Sequence, residues 1–244
     1  MTDILPTAAT KSTEEWRAIL SRGAEAATPE LAKSAAEGLV DAQLAYGQCL
    51  LDGYGVKADP AAALSWFMKA AHAGHPMGMN MVGRCCDLGW GTRVDKRLAA
   101  QWYDAAARLG LDWAMYNLAT LHGLGHGVAL DRAEALRLFR MAADRGHVKS
   151  ITMLGSFHED GWGVPRDMAA AADFYRRGAE GGDFRGQFNH ARMLIEAGEI
   201  NAAIGWLHKL PETATPAFLE KVRQWLAARP EAALNRAADS LAKA

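Results

Sequence analysis

The sequence predicts an all-α fold, a right-handed α-solenoid of antiparallel helix pairs, and three observations carry that prediction. Glycine pairs recur every 36 residues, as Gly53/Gly55, Gly89/Gly91, Gly125/Gly127 and Gly161/Gly163. Two further combs keep the same spacing: Gly38, Gly74, Gly110, Gly146 and Gly182, and the aspartates Asp59, Asp95, Asp131 and Asp167. Between the combs, bulky pairs repeat in step, as Trp66-Phe67, Trp102-Tyr103, Leu138-Phe139 and Phe174-Tyr175. One helix pair cannot bury its own apolar stripe, so a tandem array of pairs is the stable solution.

Each repeat reads as helix A, a glycine turn, then helix B. Helix A of the first repeat runs from Ala42 through Leu51, with Leu44, Ala45, Cys49 and Leu50 at three- and four-residue steps. Gly-x-Gly stops it, because glycine enters backbone conformations that residues with a side chain resist. The aspartate comb then offers a side-chain acceptor to the free amides of helix B, and Pro60 suits its first position. Small residues at Gly47, Gly83, Ala119, Gly155 and Ala191 allow helices A and B to approach, with the helix B aromatics filling the space beside them.

Both ends depart from the pattern in the manner of caps. Ser12 with Glu15 forms a capping box for a helix through about Ala26, and Thr28-Pro29 opens a second helix ending at Gly38. After Gly182 a fifth helix A runs from about Arg185 to Ala197. The Gly-x-Gly loop is missing there, and Ala203-x-x-Trp206 follows four residues early. Pro211 ends that unit, Thr215-Pro216 opens a helix carrying Phe218, Val222, Trp225 and Leu226, and Arg229-Pro230 opens the last. The expected organisation is therefore capping helices over 1–41, four units over 42–185, a shortened fifth over 186–211 and capping helices over 212–244. The C-terminal pair is expected to seal the array; self-association through it is the alternative.

Composition narrows the function classes. Lys plus Arg number 27 against 28 Asp plus Glu, a net charge of −1, so the basic excess that phosphate-backbone binding needs is missing and no nucleic-acid partner is expected. Met1 to Thr10 has no basic stretch followed by an apolar run, and no 18-residue apolar segment occurs, so the expectation is a cytoplasmic chain without a membrane partner. Three cysteines, Cys49, Cys85 and Cys86, without a C-x-x-C pair, indicate neither a disulfide framework nor a thiolate zinc site. No Gly-x-Ser-x-Gly elbow or helical zinc-protease motif is present, so no catalytic residue and no cofactor are assigned.

The stretches Leu154-Gly155, Gly161-Trp162-Gly163-Val164, Asp167, Ala171, Phe174-Tyr175 and Ala179 through Gly182 resemble the Sel-one-like repeat (SLR) family, a relative of the tetratricopeptide repeats. The resemblance covers about Ala42 to Arg185 as four full units. It implies a non-catalytic scaffold or adaptor that binds a protein or peptide segment. In the related tetratricopeptide fold helix A lines the concave face. Carried over position by position, that face offers Asn80, Arg84, Lys149, Arg185 and Arg192 as polar and cationic groups for peptide carboxylates, with Trp113, Tyr116 and Phe188 as aromatic anchors.

A different class of function comes from one column. Cys86, His122 and His158 stand one repeat apart, where the SLR family usually has tyrosine, with Glu159 and Asp160 beside the last. Leaning together they would make a metal-binding or enzymatic centre. Separately they are half-buried packing residues, since stacked helices lie about 8–10 Å apart and metal bonds need about 2.0–2.3 Å. A third possibility is a homo-oligomer whose groove accepts another copy's terminus.

Overall fold

The computed structural model describes residues 21 and 23–241, and these hold thirteen α-helices, one short 3-10 turn and no strand. The expected all-α class is what the chain adopts. The helices are α1 (Ala24–Ala36), α2 (Val40–Asp52), α3 (Pro60–His72), α4 (Pro76–Leu88), α5 (Lys96–Arg108), α6 (Asp112–Leu124), α7 (Arg132–Ala143), α8 (Val148–Asp160), α9 (Met168–Glu180), α10 (Phe184–Glu196), α11 (Ile200–Leu207), α12 (Pro216–Ala227) and α13 (Ala232–Leu241), with the 3-10 turn at Leu210–Glu212. Two compact units result, meeting in sequence at Leu130 and Asp131. In the first, each of α1 to α5 packs on the next, ending at α6; in the second, each of α7 to α10 packs on the next, ending at α11, and α12 and α13 pack on each other.

The combs act as the sequence implies. Asp59, Asp95, Asp131 and Asp167 each accept through Oδ1 from an amide of the helix they open, at 2.9–3.0 Å. In the second repeat Gly89 caps α4 at φ 77° and Gly91 follows at φ 70°. A methyl on Gly91 would lie 2.2 Å from the Pro60 carbonyl oxygen, so glycine is required there by close approach as well as by conformation. The loop of one repeat thereby packs on the start of the preceding helix B. At Gly47, Gly83 and Gly155 a methyl would stand 2.6 Å from ring carbons of Phe67, Tyr103 and Tyr175, which is the expected close contact of helices A and B.

One element begins elsewhere than expected. Thr28-Pro29 does not open a helix: α1 starts at Ala24 and Pro29 lies inside it. The Thr28 hydroxyl is 97% buried and donates to the Tyr54 carbonyl at 2.9 Å, so it ties α1 to the first glycine loop instead of capping. The Ser12/Glu15 capping box falls outside the described residues. At the other end, Thr215 caps α12 as expected, its Oγ1 accepting from the Phe218 amide at 3.3 Å. The final helix starts at Ala232, beyond Arg229-Pro230. Leu207, Leu210, Val222, Leu226 and Leu234 are fully enclosed, and with Ile195 and Leu241 they form the core that closes the fifth unit.

Candidate functional site

The first unit presents the helix A face of three repeats on α2, α4 and α6. Arg84, midway along α4, is half-buried and lies over the Trp90 ring at 4.7 Å, with Nη1 3.8 Å from Met81 Sδ. Among the described residues it has no carboxylate partner. The neighbouring acid is already engaged: Asp87 is paired with Lys96 and accepts from the Tyr103 hydroxyl at 3.3 Å. Burial, then the Asp87 charge, pushes the Tyr103 phenol far above its ordinary range, so it stays a donor. Trp113, at the start of α6, keeps 42% of its surface exposed, and Tyr116 one turn later is half-buried. Beside the first repeat a depression of about 440 Å³ opens between Leu31, Ala45, Cys49 and Tyr54, rimmed by Gln48 and Asp52.

Asn80 is placed differently from its expected role. It is 97% buried, and its Oδ1 accepts from Asn117 Nδ2 at 2.9 Å, a bond that ties α4 to α6. It is a structural linchpin of the second and third repeats and not an open ligand group.

The second unit carries the other four expected contacts on α8 and α10. Lys149 is half-buried near the start of α8; Arg185 is exposed and lies 4.8 Å from the Phe184 ring centre. Two expectations are corrected. Phe188 is held by the C-terminal helix α12, edge-on to Phe218 at 5.7 Å and Trp225 at 5.3 Å. Arg192 is clamped by both Glu159 oxygens at 2.7 and 2.6 Å and by Glu196 at 3.2 Å. Burial is the largest single effect and opposes its charge, but the bonds to Glu159 together with the charges of Glu159, Glu196 and Tyr175 outweigh it and hold its pKa above the ordinary value. Tyr175 completes this network, donating to Glu159 at 2.7 Å with the Ser156 hydroxyl at 3.1 Å. The Trp225 helix therefore packs on α10 through Phe188.

The Cys86, His122 and His158 column does not assemble. Among the described residues no three His, Cys, Asp or Glu side chains converge as metal ligands would. Cys86 is 96% buried, and burial followed by the Asp95 charge raises its pKa, which disfavours the thiolate a metal needs. His158 stacks on Phe174 with ring centres 5.4 Å apart. Cys86 and His158 also lend their carbonyls to the amides of Asp95 and Asp167, at 2.8 and 2.9 Å, which zips each loop back onto helix A. Cys85, with burial and its Cys86 neighbour pushing its thiol up to about 11, is inert in the same way.

Trp90 and the Glu159–Tyr175–Arg192 network were not singled out from the sequence. A signal existed for the first: the residue between the paired glycines is Tyr54, Trp90, His126 and Trp162 in turn, an aromatic or imidazole ring in every loop. Trp162 packs edge-on to Phe157 at 5.6 Å with Arg132 over its ring at 4.9 Å, as Trp90 is covered by Arg84.

Comparison with known proteins places these helix pairs in a family. The family model described as Sel1 repeat matches residues 40–75, 76–111, 114–147 and 148–183, more than half of the chain. A Sel1 repeat protein from Oxalobacter formigenes superposes with a TM-score of 0.79 at 24% identity, over 95% of this chain and 99% of its own. A protective antigen of uropathogenic Escherichia coli with an SLR fold gives 0.66 at 26% identity, over 90% of this chain and 48% of its own length. An immunity protein from Pseudomonas aeruginosa gives 0.53 at 22%, over 73% of this chain and 68% of its own. No curated protein matches. Four matched units on four consecutive A–B helix pairs, in the register set by the glycine and aspartate combs, make this chain a member of the Sel1 repeat family, with its α-solenoid fold.

Proposed function

We propose that the chain is a non-catalytic scaffold that holds a protein or peptide segment against the helix A face of its first three repeats. Sel1-repeat proteins generally act through protein–protein interaction. The observation that carries the reading here is Arg84: a half-buried guanidinium, pre-oriented by the Trp90 ring, with no carboxylate partner among the described residues. Arginine held in a fixed plane is suited to a carboxylate, and losing little freedom on binding favours affinity. Trp113 supplies exposed aromatic surface at the next repeat, of the kind that dominates interface energies.

The test is affinity capture on the whole chain compared with Arg84→Ala/Tyr116→Ala, read by mass spectrometry and followed by direct titration of each captured protein. Loss of at least tenfold in affinity for the principal partner is expected. A partner set and affinities unchanged by the double substitution would remove the helix A face as the binding surface.

A further inference from the structure

The first unit has a second unusual surface, at the edge where helix A ends and its loop begins. Leu88 and Leu124 close α4 and α6; Val94 and Leu130 lie in the loops that follow, and all four are 50–59% exposed. Each loop residue folds back over its own helix end: a methyl on Gly89 would meet Val94 Cγ2 at 3.1 Å, and one on Gly125 would meet Leu130 Cβ at 3.2 Å. Gly127 brings the second loop down onto the start of α5, since a methyl there would stand 2.3 Å from the Lys96 carbonyl carbon and 2.5 Å from the Arg97 amide nitrogen. The four side chains thus lie at two successive helix A ends and their loops, with the second loop packed on the start of α5 beside Arg97. In the first repeat the same two positions hold Asp52 and Ala58, so the repeat itself does not require leucine and valine there. Clustered exposed aliphatic groups of this kind mark contact surfaces.

Charge is unevenly divided along this edge. From Trp113 to Leu130 there is no Asp, Glu, Lys or Arg. The second repeat, by contrast, sets Arg93 and Arg97 exposed beside Val94, with no ion-pair partner among the described residues. Arg84, half-buried, lies on Trp90. The nearby acids are spent: Asp87 on Lys96 and Tyr103, Asp95 on the cap of α5. A ligand crossing this edge therefore meets unpaired cations on one repeat and uncharged aliphatic surface on the next.

We propose that this loop edge docks a partner segment in which acidic residues stand within a few positions of aliphatic ones, the acids over Arg93, Arg97 and Arg84 and the aliphatic side chains over Leu124 and Leu130. The proposal rests on the peptide-binding reading and names its partner's chemistry. Complementary charge selects against basic segments and steers encounter. An anionic membrane surface also attracts basic and apolar groups, but Arg84 is half-buried where Arg93 and Arg97 are exposed, which suits a protruding side chain better than a flat lipid surface.

The test is selection of a random-sequence displayed peptide library on the full chain and on Arg84→Gln/Arg93→Gln/Arg97→Gln, each checked for helicity by circular dichroism. Enriched peptides should carry Asp or Glu within four residues of Leu, Ile, Val or Phe several-fold more often than the unselected library, and should bind the triple variant at least tenfold more weakly. Arg93→Glu/Arg97→Glu should turn the preference toward basic peptides. Enrichment without acidic bias, or peptides indifferent to the arginine changes, overturns this proposal and leaves peptide binding standing. No enrichment at all defeats both readings. Sedimentation with phosphatidylserine vesicles that depends on Leu124 and Leu130 would reassign the edge to lipid.

Discussion

Gly83 has no room for a single methyl group. Its added carbon would stand 2.6 Å from two atoms of the Tyr103 ring, and that ring is 99% buried with its hydroxyl committed to Asp87. Gly83→Ala is therefore expected to destabilise the chain by about 1–3 kcal/mol through overpacking, measured as a lower urea midpoint with unchanged m-value; an unshifted midpoint would mean that the helices separate freely. The small-residue comb was legible in sequence because it repeats. The polar partners of the rings were not, since Asp87 and Glu159 lie 16 residues before Tyr103 and Tyr175 in two repeats, while the same column holds Gly123 in another. Arg192 shows the consequence for the site. A cation read from the sequence as free is committed to Glu159, and Arg192→Ala should cost about 1–3 kcal/mol by leaving a half-buried carboxylate without its charged donor. A double-mutant cycle with Glu159→Ala checks it, and additive losses would show no coupling.

At the scale of elements, repetition made the helices readable and the exceptions hard to read. Helix A of the first repeat was expected from Ala42 to Leu51 and spans Val40–Asp52, because its end is fixed by Gly53 in the left-handed conformation. The start of α1 was misplaced because Thr-Pro is a strong local start signal, and only the fold reveals that the Thr28 hydroxyl is spent on the Tyr54 carbonyl. The caps of helix B can be tested singly. Asp95→Ala removes the acceptor for the Leu98 amide and should cost about 1 kcal/mol, with Asp95→Asn restoring most of the loss in thermal melts; equal melting of all three proteins would deny the cap a role. His190, on α10, provides a titration at this scale. Burial, then the charge of Arg176, lowers its pKa below the ordinary value, against weaker opposing effects of Glu180 and Glu199. Its ring lies edge-on to Trp206 of α11, with Nδ1 enclosed. A base with a lowered folded pKa binds more protons when unfolded, so its contribution is intact above about pH 6.5 and is lost as pH falls through the folded value. His190→Gln should flatten the fall in stability between neutral and mildly acidic pH; an unchanged slope would assign that fall to other groups.

For the molecule as a whole, a repeat array is stable only if its last stacking surface is covered, and the sequence marked the cover by the loss of its combs after Gly182. The cover is built from α12 and α13. Phe218 and Trp225 close over Phe188, and Val222, Leu226 and Leu234 join Ile195, Leu207 and Leu210 in one apolar core. Phe184 also meets Phe218, at 4.8 Å. Removing residues 212–244 would return this surface to water in one step. Because stability in such arrays is a sum of unit and nearest-neighbour terms, the loss should begin at the fifth unit and weaken with distance from it. The truncated chain is expected to bind a hydrophobic dye and to lose amide protection first in α10 and α11, with α2 to α5 the last to change in hydrogen exchange. Phe218→Ala/Trp225→Ala, which keeps the backbone of the cover, should reproduce the same order at smaller amplitude. Protection lost evenly along the chain would show instead that the repeats unfold as a single cooperative body, with the C-terminal pair acting on all of them at once.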